Sequence, residues 1–245
     1  MSTEQARRDD DAWARPVDRL ARPETVAGGA GINVAGRRPT SPVQGFGRMW
    51  QKTYRIALVG AAVSPGEVVA VWKRDFPAFW PKGNRFFAPL AGILPGEVAT
   101  IDVTMPGRLK LSTGVMVMFA DDESFTLMTP EGHMIAGWIT FSAFVDAAGT
   151  TVAQTQVLMR ASDPIYELGM ALGGHGQEDR HWQQTLASLA RAFGVVGTAE
   201  TETVCVDRRR QWSRSGNVWK NSGIRSGMHL AAAPVRLVVR PFKRD

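Results

Sequence analysis

The chain has a single cysteine, Cys205, in 245 residues. That excludes an internal disulfide framework and, with no second thiol near it, a thiolate metal site. No apolar run approaches the roughly 18 residues that a membrane-spanning helix needs. The N-terminal stretch MSTEQARRDDDAWARP has no apolar core of a secretory signal, so a cytoplasmic protein is expected. There is no Gly-x-Ser-x-Gly elbow and no phosphate loop. Gly29-Ala30-Gly31 follows no strand, and Val34 stands where a dinucleotide fingerprint needs its third glycine. His175 and His181 are six apart across a glycine break, which is not a metal-ligating spacing. Neither a metal nor a cofactor is expected.

The chain does have enough apolar residues, 44%, for a substantial core. Its net charge of +6 is unevenly placed. Basic blocks at residues 37–85 and 201–245 flank an acidic body. Such blocks are solvated faces, partners of the acidic body, or contacts for nucleic acid or an anionic membrane surface. Residues 1–48 read as a mobile arm, rich in charge, glycine and proline. Residues 49–196 read as the folded domain, and 197–245 as a basic, tryptophan-bearing extension.

Within the domain, Lys52–Leu58 reads as a strand. Ser64-Pro65-Gly66-Glu67 is a capping box with proline at the first helical position, predicting a helix over 65–76. Phe79-Trp80-Pro81 makes an aromatic corner. Strands are expected around Val98–Thr104, Leu109–Thr113, Gly114–Ala120, Ser124–Thr129, Ala136–Val145 and Gln154–Arg160, joined by tight turns into a meander. In Gly114–Ala120, Val115, Val117 and Phe119 fall on one face and Met116 and Met118 on the other, which predicts burial on both sides. A short helix is expected at Ile165–Leu172. The main helix runs from about Glu178 to Phe193, with Trp182, Leu186, Leu189, Ala190 and Phe193 on one face. Glu178 and Asp179 suit its positive end and Arg191 its negative end. Val204–Val206 could add an edge strand, followed by a marginal helix over 208–230.

This order, together with the phrase Ser64 to Trp72, then Phe76, Phe79, Trp80 and Pro81, resembles the START-like, polyketide-cyclase-like (SRPBCC) superfamily. As a whole chain it is similar to an actinobacterial group within that superfamily. The resemblance spans roughly residues 50–195. It implies an α+β, helix-grip fold: a curved antiparallel sheet wrapped around a long C-terminal helix, here with N- and C-terminal extensions. It further implies an apolar cavity between sheet and helix. Members bind lipids, sterols, polyketides or hormones there, and some are cyclases, dehydratases or hydrolases.

Three functions follow as expectations. The first is binding of a small apolar molecule, such as a lipid, polyketide or isoprenoid, without catalysis. Its lining would be Phe141, Val157, Met159, Trp182, Leu186, Met116 and Met118, since flexible thioethers suit an irregular ligand. Gln156, Arg160 or Thr126 could fix its polar end, although a one-residue slip in strand phase would swap the faces. The second is a cyclase- or dehydratase-type enzyme, with His133 and Glu131 or Asp102 as acid and base. The third is an interaction protein that uses Trp212, Trp219, Arg208 and Arg209 on an anionic membrane, a nucleic acid or a partner chain, including a twin subunit in a homodimer.

Overall fold

The structure is a computed structural model and describes residues 10–21, 32–104 and 110–231. Gly28–Gly31, Met105, the Pro106-Gly107 turn and Pro234–Asp245 lie outside the described residues.

The sheet has nine strands among the described residues. They are β1 (Pro39–Thr40), β2 (Met49–Ala57), β3 (Arg85–Phe87), β4 (Val98–Thr104), β5 (Lys110–Ala120), β6 (Ser124–Pro130), β7 (Ile135–Val145), β8 (Thr151–Ala161) and β9 (Glu200–Asp207). Their order is β3-β4-β5-β6-β7-β8-β2-β9, with β1 on the end of β6, and every pair is antiparallel. Among the described residues the α-helices of six residues or more are α1 (Pro65–Asp75), α2 (Pro164–Gly169), α3 (His175–Ala192) and α4 (Ser222–Ala231). A curved antiparallel sheet holding one long helix near the chain's end is the helix-grip arrangement.

Local chemistry explains the helices. The Ser64 hydroxyl accepts from the Glu67 amide at 3.3 Å, and the Glu67 carboxylate accepts from the Ser64 amide at 2.8 Å. Two orphan donors at the start of α1 are thereby satisfied. Proline at the first helical position costs nothing there, because that amide has no intrahelical partner. Val68, Val69 and Trp72 then fall on one side of α1 and are fully buried. The Trp72 ring meets Phe141 edge-on at 5.1 Å and Phe125 at 6.2 Å. Truncating a ring packed in this way typically costs about 3–5 kcal/mol. Asp163 caps α2, accepting from the amides of Ile165 and Tyr166. Between α2 and α3 the chain kinks at Leu172 and at Gly173, whose φ of +120° suits glycine alone.

The inner face of the sheet is one apolar surface. Tyr54 and Ile56 of β2, Ile101 of β4, Val115 and Val117 of β5, Phe125 and Leu127 of β6, Ile139 and Phe141 of β7, and Val157 and Met159 of β8 share one core. Leu186, Leu189 and Ala190 of α3 close over it. The expected helical face is therefore the buried one.

Burial of β5 on both faces also holds, with one difference. Met118 is bulged out of the β5–β6 pairing, which jumps between Val117 and Phe119. The extra residue shifts the phase. Phe119 thus turns outward against Trp13, with ring centroids 4.8 Å apart, instead of following Val117 inward.

The outer face is covered by the N-terminal residues. Leu20 and Val34 pack with Val98 and Met116 in a second apolar cluster. The described part of residues 1–48 is accordingly a fixed layer on the sheet rather than a mobile arm: Asn33, Val34 and Phe46 are all buried. A side chain at Gly114 would strike the Ala99 carbonyl and Val34, so glycine is what lets this layer settle.

The described residues from 197 to 231 belong to the same body. β9 extends the sheet along β2 from Arg55↔Glu200 to Met49↔Asp207, a longer strand than Val204–Val206. In place of the one marginal helix expected over 208–230, a 3₁₀ helix, Trp212–Lys220, is followed by α4. Asn217 donates to the carbonyls of Gln44 and Ser162, at 2.9 and 2.8 Å. Asn221 and Ser222 are buried, and Asn221 donates to Asp163 at 2.8 Å. A Cβ at Gly132 would collide with the Lys220 carbonyl, which shows how closely this segment lies on the β6–β7 turn.

Candidate functional site

Charged groups lie inside the grip. On β2 the inward positions are Trp50, Lys52, Tyr54 and Ile56, spaced two apart as strand geometry requires. On α3 the matching positions are His175, Glu178, Asp179, Trp182 and Leu186, along one helical stripe. Where these two elements cross, Lys52 Nζ lies 2.7 Å from Asp179 Oδ1 and 3.0 Å from Glu178 Oε2. The lysine side chain is 1% exposed. The Tyr54 hydroxyl donates to the same Asp179 oxygen at 2.7 Å. His175 adds its carbonyl at 3.4 Å from Lys52 and its ring edge-on to Trp50 at 5.0 Å.

Burial sets the protonation of this cluster. It pushes the Glu178 carboxyl up to about 7, against the pull of the Lys52 charge. It also raises the Tyr54 phenol, helped by the Glu178 and Asp179 charges, so that group stays protonated. His175 is lowered by burial and then by Lys52, and is held neutral. Both Glu178 oxygens are shielded from solvent; Oε2 faces the Lys52 ammonium, while Oε1 and His175 Nδ1 are without a partner.

A second polar group sits further along α3. The Thr104 amide donates to Asn84 Oδ1 at 2.9 Å, which fixes the orientation of that amide. Asn84 Nδ2 therefore donates to His181 Nδ1, at 3.1 Å. The His181 proton must then reside on Nε2, a buried N–H without a partner. Burial lowers the His181 pKa to about 4. Trp80 and Trp182 flank the ring edge-on at 4.8 and 4.5 Å. Trp80 Nε1 is also buried and unpartnered. Beyond these groups rings line the grip: Phe125 stacks on Phe141 at 4.7 Å, with Phe76 5.0 Å from Phe141 and Trp182 5.6 Å from it.

Five of the lining residues expected from sequence, Phe141, Val157, Met159, Trp182 and Leu186, lie together on this inner surface. Met116 and Met118 do not. Met116 is on the outer face of β5 beneath Val34, and Met118 occupies the bulge, its carbonyl accepting from Ala14 at 2.8 Å. The three suggested polar fixers also face outward. Gln156 donates to Thr53, Thr126 bonds Thr140, and Arg160 reaches Asp207 and the Gly47 carbonyl. Asp102 pairs with Ser112 on that outer side.

Glu131 and His133 lie at the β6–β7 turn under the C-terminal segment. Glu131 pairs with Lys220 at 2.5 Å and Arg37 at 3.7 Å. His133 is buried, and its Nδ1 lies 3.1 Å from the Ile135 amide and 3.2 Å from the Ile135 carbonyl. Backbone thus occupies that nitrogen in either tautomer, and no hydrogen bond links the histidine to Glu131. Of the tail residues, Arg209 pairs with Asp207 at 3.1 Å, while Arg208, Trp212 and Trp219 stand exposed.

No protein-family model matches the sequence, and no curated protein does either. Solved structures do match. The likeness is one of architecture. A START superfamily protein from Mycobacterium smegmatis is 18% identical and aligns 60% of this chain with 99% of its own, at a TM-score of 0.41. Ara h 8.0201 is 12% identical over 59% of this chain and 97% of its own, with a TM-score of 0.41. A di-domain ARO/CYC, StfQ, from the steffimycin biosynthetic pathway is 11% identical over 60% of this chain and 53% of its own, at 0.44.

His133 offers a direct check on the geometry. Burial lowers its pKa to about 4, from 6.5. Between those values the unfolded chain binds the proton more readily, so the contribution of neutral His133 to stability is lost as pH falls through the window. His133→Asn keeps a group that can bond Ile135 but cannot titrate. Relative to wild type, this variant should gain about 3 kcal/mol between pH 7 and pH 4. Urea unfolding across that range measures it, and a pH-independent difference would contradict the buried placement.

Proposed function

We propose that the chain binds a small, largely apolar molecule inside the grip, with the molecule's polar group at the Lys52–Glu178–Tyr54 cluster. One observation carries this reading. Glu178 Oε1, His175 Nδ1, His181 Nε2 and Trp80 Nε1 are all buried without a hydrogen-bond partner, and all belong to residues on or beside the face of α3 that meets the sheet. Buried polar atoms are ordinarily satisfied. Unsatisfied polar atoms grouped beside Trp50, Met159 and Trp182 supply hydrogen-bonding capacity within an apolar wall, the combination that holds a small ligand.

The charges narrow the chemistry. Lys52, the cation of this cluster, already faces two carboxylates and is not free for an anionic ligand. A hydroxyl or amine that donates to Glu178 fits, and a carboxylate would meet Glu178 and Asp179 as like charges. The aromatic wall favours a planar or branched apolar body.

Native mass spectrometry of protein purified from its own host should show a retained mass of a few hundred daltons. Dodecanol and dodecylamine should bind by calorimetry, and dodecanoate should bind at least about tenfold more weakly, the penalty of one unpaired like-charge contact. Absence of a retained mass together with no binding of any of the three would overturn the proposal. Equal binding of all three would overturn the assignment of the polar end.

A further inference from the structure

We propose that the 3₁₀ segment Trp212–Lys220 is a docking surface for an anionic lipid bilayer. Trp212 is 72% exposed and Trp219 is 81% exposed, in a molecule whose other large rings are mostly packed. A tryptophan so exposed needs a reason. Mobility does not supply it here, because the segment is pinned to the body. The Gln211 amide donates to the Phe46 carbonyl at 2.7 Å, Asn217 bonds two carbonyls, and Asn221 holds Asp163. The Trp212 ring rests its edge on Phe46, with centroids 5.2 Å apart, which fixes where it points. The two indoles are thus displayed on a rigid mount.

The charge around them has one sign. From Arg208 to Arg244 the sequence contains ten Lys and Arg residues and no Asp or Glu. Carboxylates elsewhere on the body engage three of the described cations: Asp207 holds Arg209, Glu167 holds Arg210 and Glu131 holds Lys220. Arg208 and Arg214, both exposed, pair with no carboxylate among the described residues. Indole rings prefer the bilayer interface, and arginines beside them meet lipid phosphates or carboxylates.

A single-stranded nucleic acid also likes rings and arginines, but the surroundings favour the bilayer. The indoles are seven residues apart on a 3₁₀ helix, about 14 Å along its axis, too far for stacking on neighbouring bases. Val43 is 60% exposed on the adjoining turn, whose Gln44 carbonyl binds Asn217. An aliphatic neighbour adds nothing to base stacking but is buried when the surface enters a lipid headgroup layer.

Flotation of the full-length protein with vesicles tests this. Binding is expected to vesicles of phosphatidylcholine mixed with phosphatidylserine at low salt, not to phosphatidylcholine alone, and should fall at high salt. The Trp212→Ala/Trp219→Ala double variant should stay with the soluble fraction. Arg208→Gln and Arg214→Gln should each weaken binding about fivefold. These side chains are largely exposed and Trp212 loses only its edge contact with Phe46, so the melting temperature should fall by no more than a few degrees. Three results would each overturn the proposal: no binding to anionic vesicles at low salt, binding that survives the double tryptophan change, or tighter binding of a single-stranded oligonucleotide that displaces the vesicles.

Discussion

Replacing Lys52 with methionine should destabilise the fold by about 3–5 kcal/mol at pH 8, the usual penalty for removing one partner of a buried ion pair. The lysine is almost wholly enclosed, and its ammonium is the counter-charge for both Glu178 and Asp179. Asp179 is 31% exposed at its side chain and can recover some hydration. The Glu178 oxygens have no such outlet. Without Lys52, Glu178 must either ionise unpaired or take up a proton. It will take the proton, because Lys52 is the influence now holding its pKa down against burial.

The variant should therefore carry a pH signature. Near pH 5 Glu178 is protonated in both proteins, so part of the penalty disappears and Lys52→Met should cost less than at pH 8. Adding Glu178→Gln should restore much of the loss at pH 8, since a neutral pair fills the same space without a stranded charge. A double-mutant cycle by urea denaturation isolates the coupling. If Lys52→Met stays within about 1 kcal/mol of wild type at pH 8, or the double variant is no better than the single one, the cluster is not the closed ion pair described.

Much of this architecture is written in local pattern. The Ser64–Glu67 box, the alternation through β6, β7 and β8, and the Trp182–Leu186–Leu189–Phe193 stripe each report on their own element. The polar cluster was also legible, in a subtler form. Lys52 stands on the apolar phase of β2, two residues from Tyr54, and Glu178 stands four residues before Trp182 on the apolar stripe of α3. Opposite charges on the apolar faces of two elements expected to touch are a signal. A helix-dipole reading of Glu178 and Asp179 conceals it.

Other features were out of reach because they arise from distant contacts. The Met118 bulge depends on how β5 registers with β6, and periodicity within β5 cannot show it. Residues 10–21 and 32–48 read as an arm because their few apolar side chains lack a period. Leu20, Val34 and Phe46 are nonetheless buried one at a time against strands far along the chain. His133 looked like a candidate base beside Glu131, and the C-terminal segment that covers this turn begins some 80 residues later, in a stretch that reads as a basic tail.

Glu178→Gln by itself should steepen the protein's pH dependence. Burial raises the Glu178 carboxyl from 4.5 to about 7 in the folded state. Between those values the folded protein binds more protons than the unfolded chain, so stability must fall as pH rises. The contribution is fully present below about 4.5 and is lost as pH passes through about 7, amounting to roughly 3 kcal/mol. His133 and His181 act with the opposite sign, because their lowered pKa values make stability fall as pH drops from 6.5 towards 4. Wild type should therefore gain stability as pH rises from about 4 and level off near pH 7, because the two histidine contributions outweigh the single opposing one of Glu178. Glutamine cannot ionise, so the variant keeps the histidine contributions alone and its stability climbs more steeply over the same range. The stability of the variant minus that of wild type should climb by about 3 kcal/mol between pH 4.5 and 7.5 and stay level on either side. A flat difference across that range would mean that Glu178 meets solvent, and the ligand site proposed around it would lose its polar end.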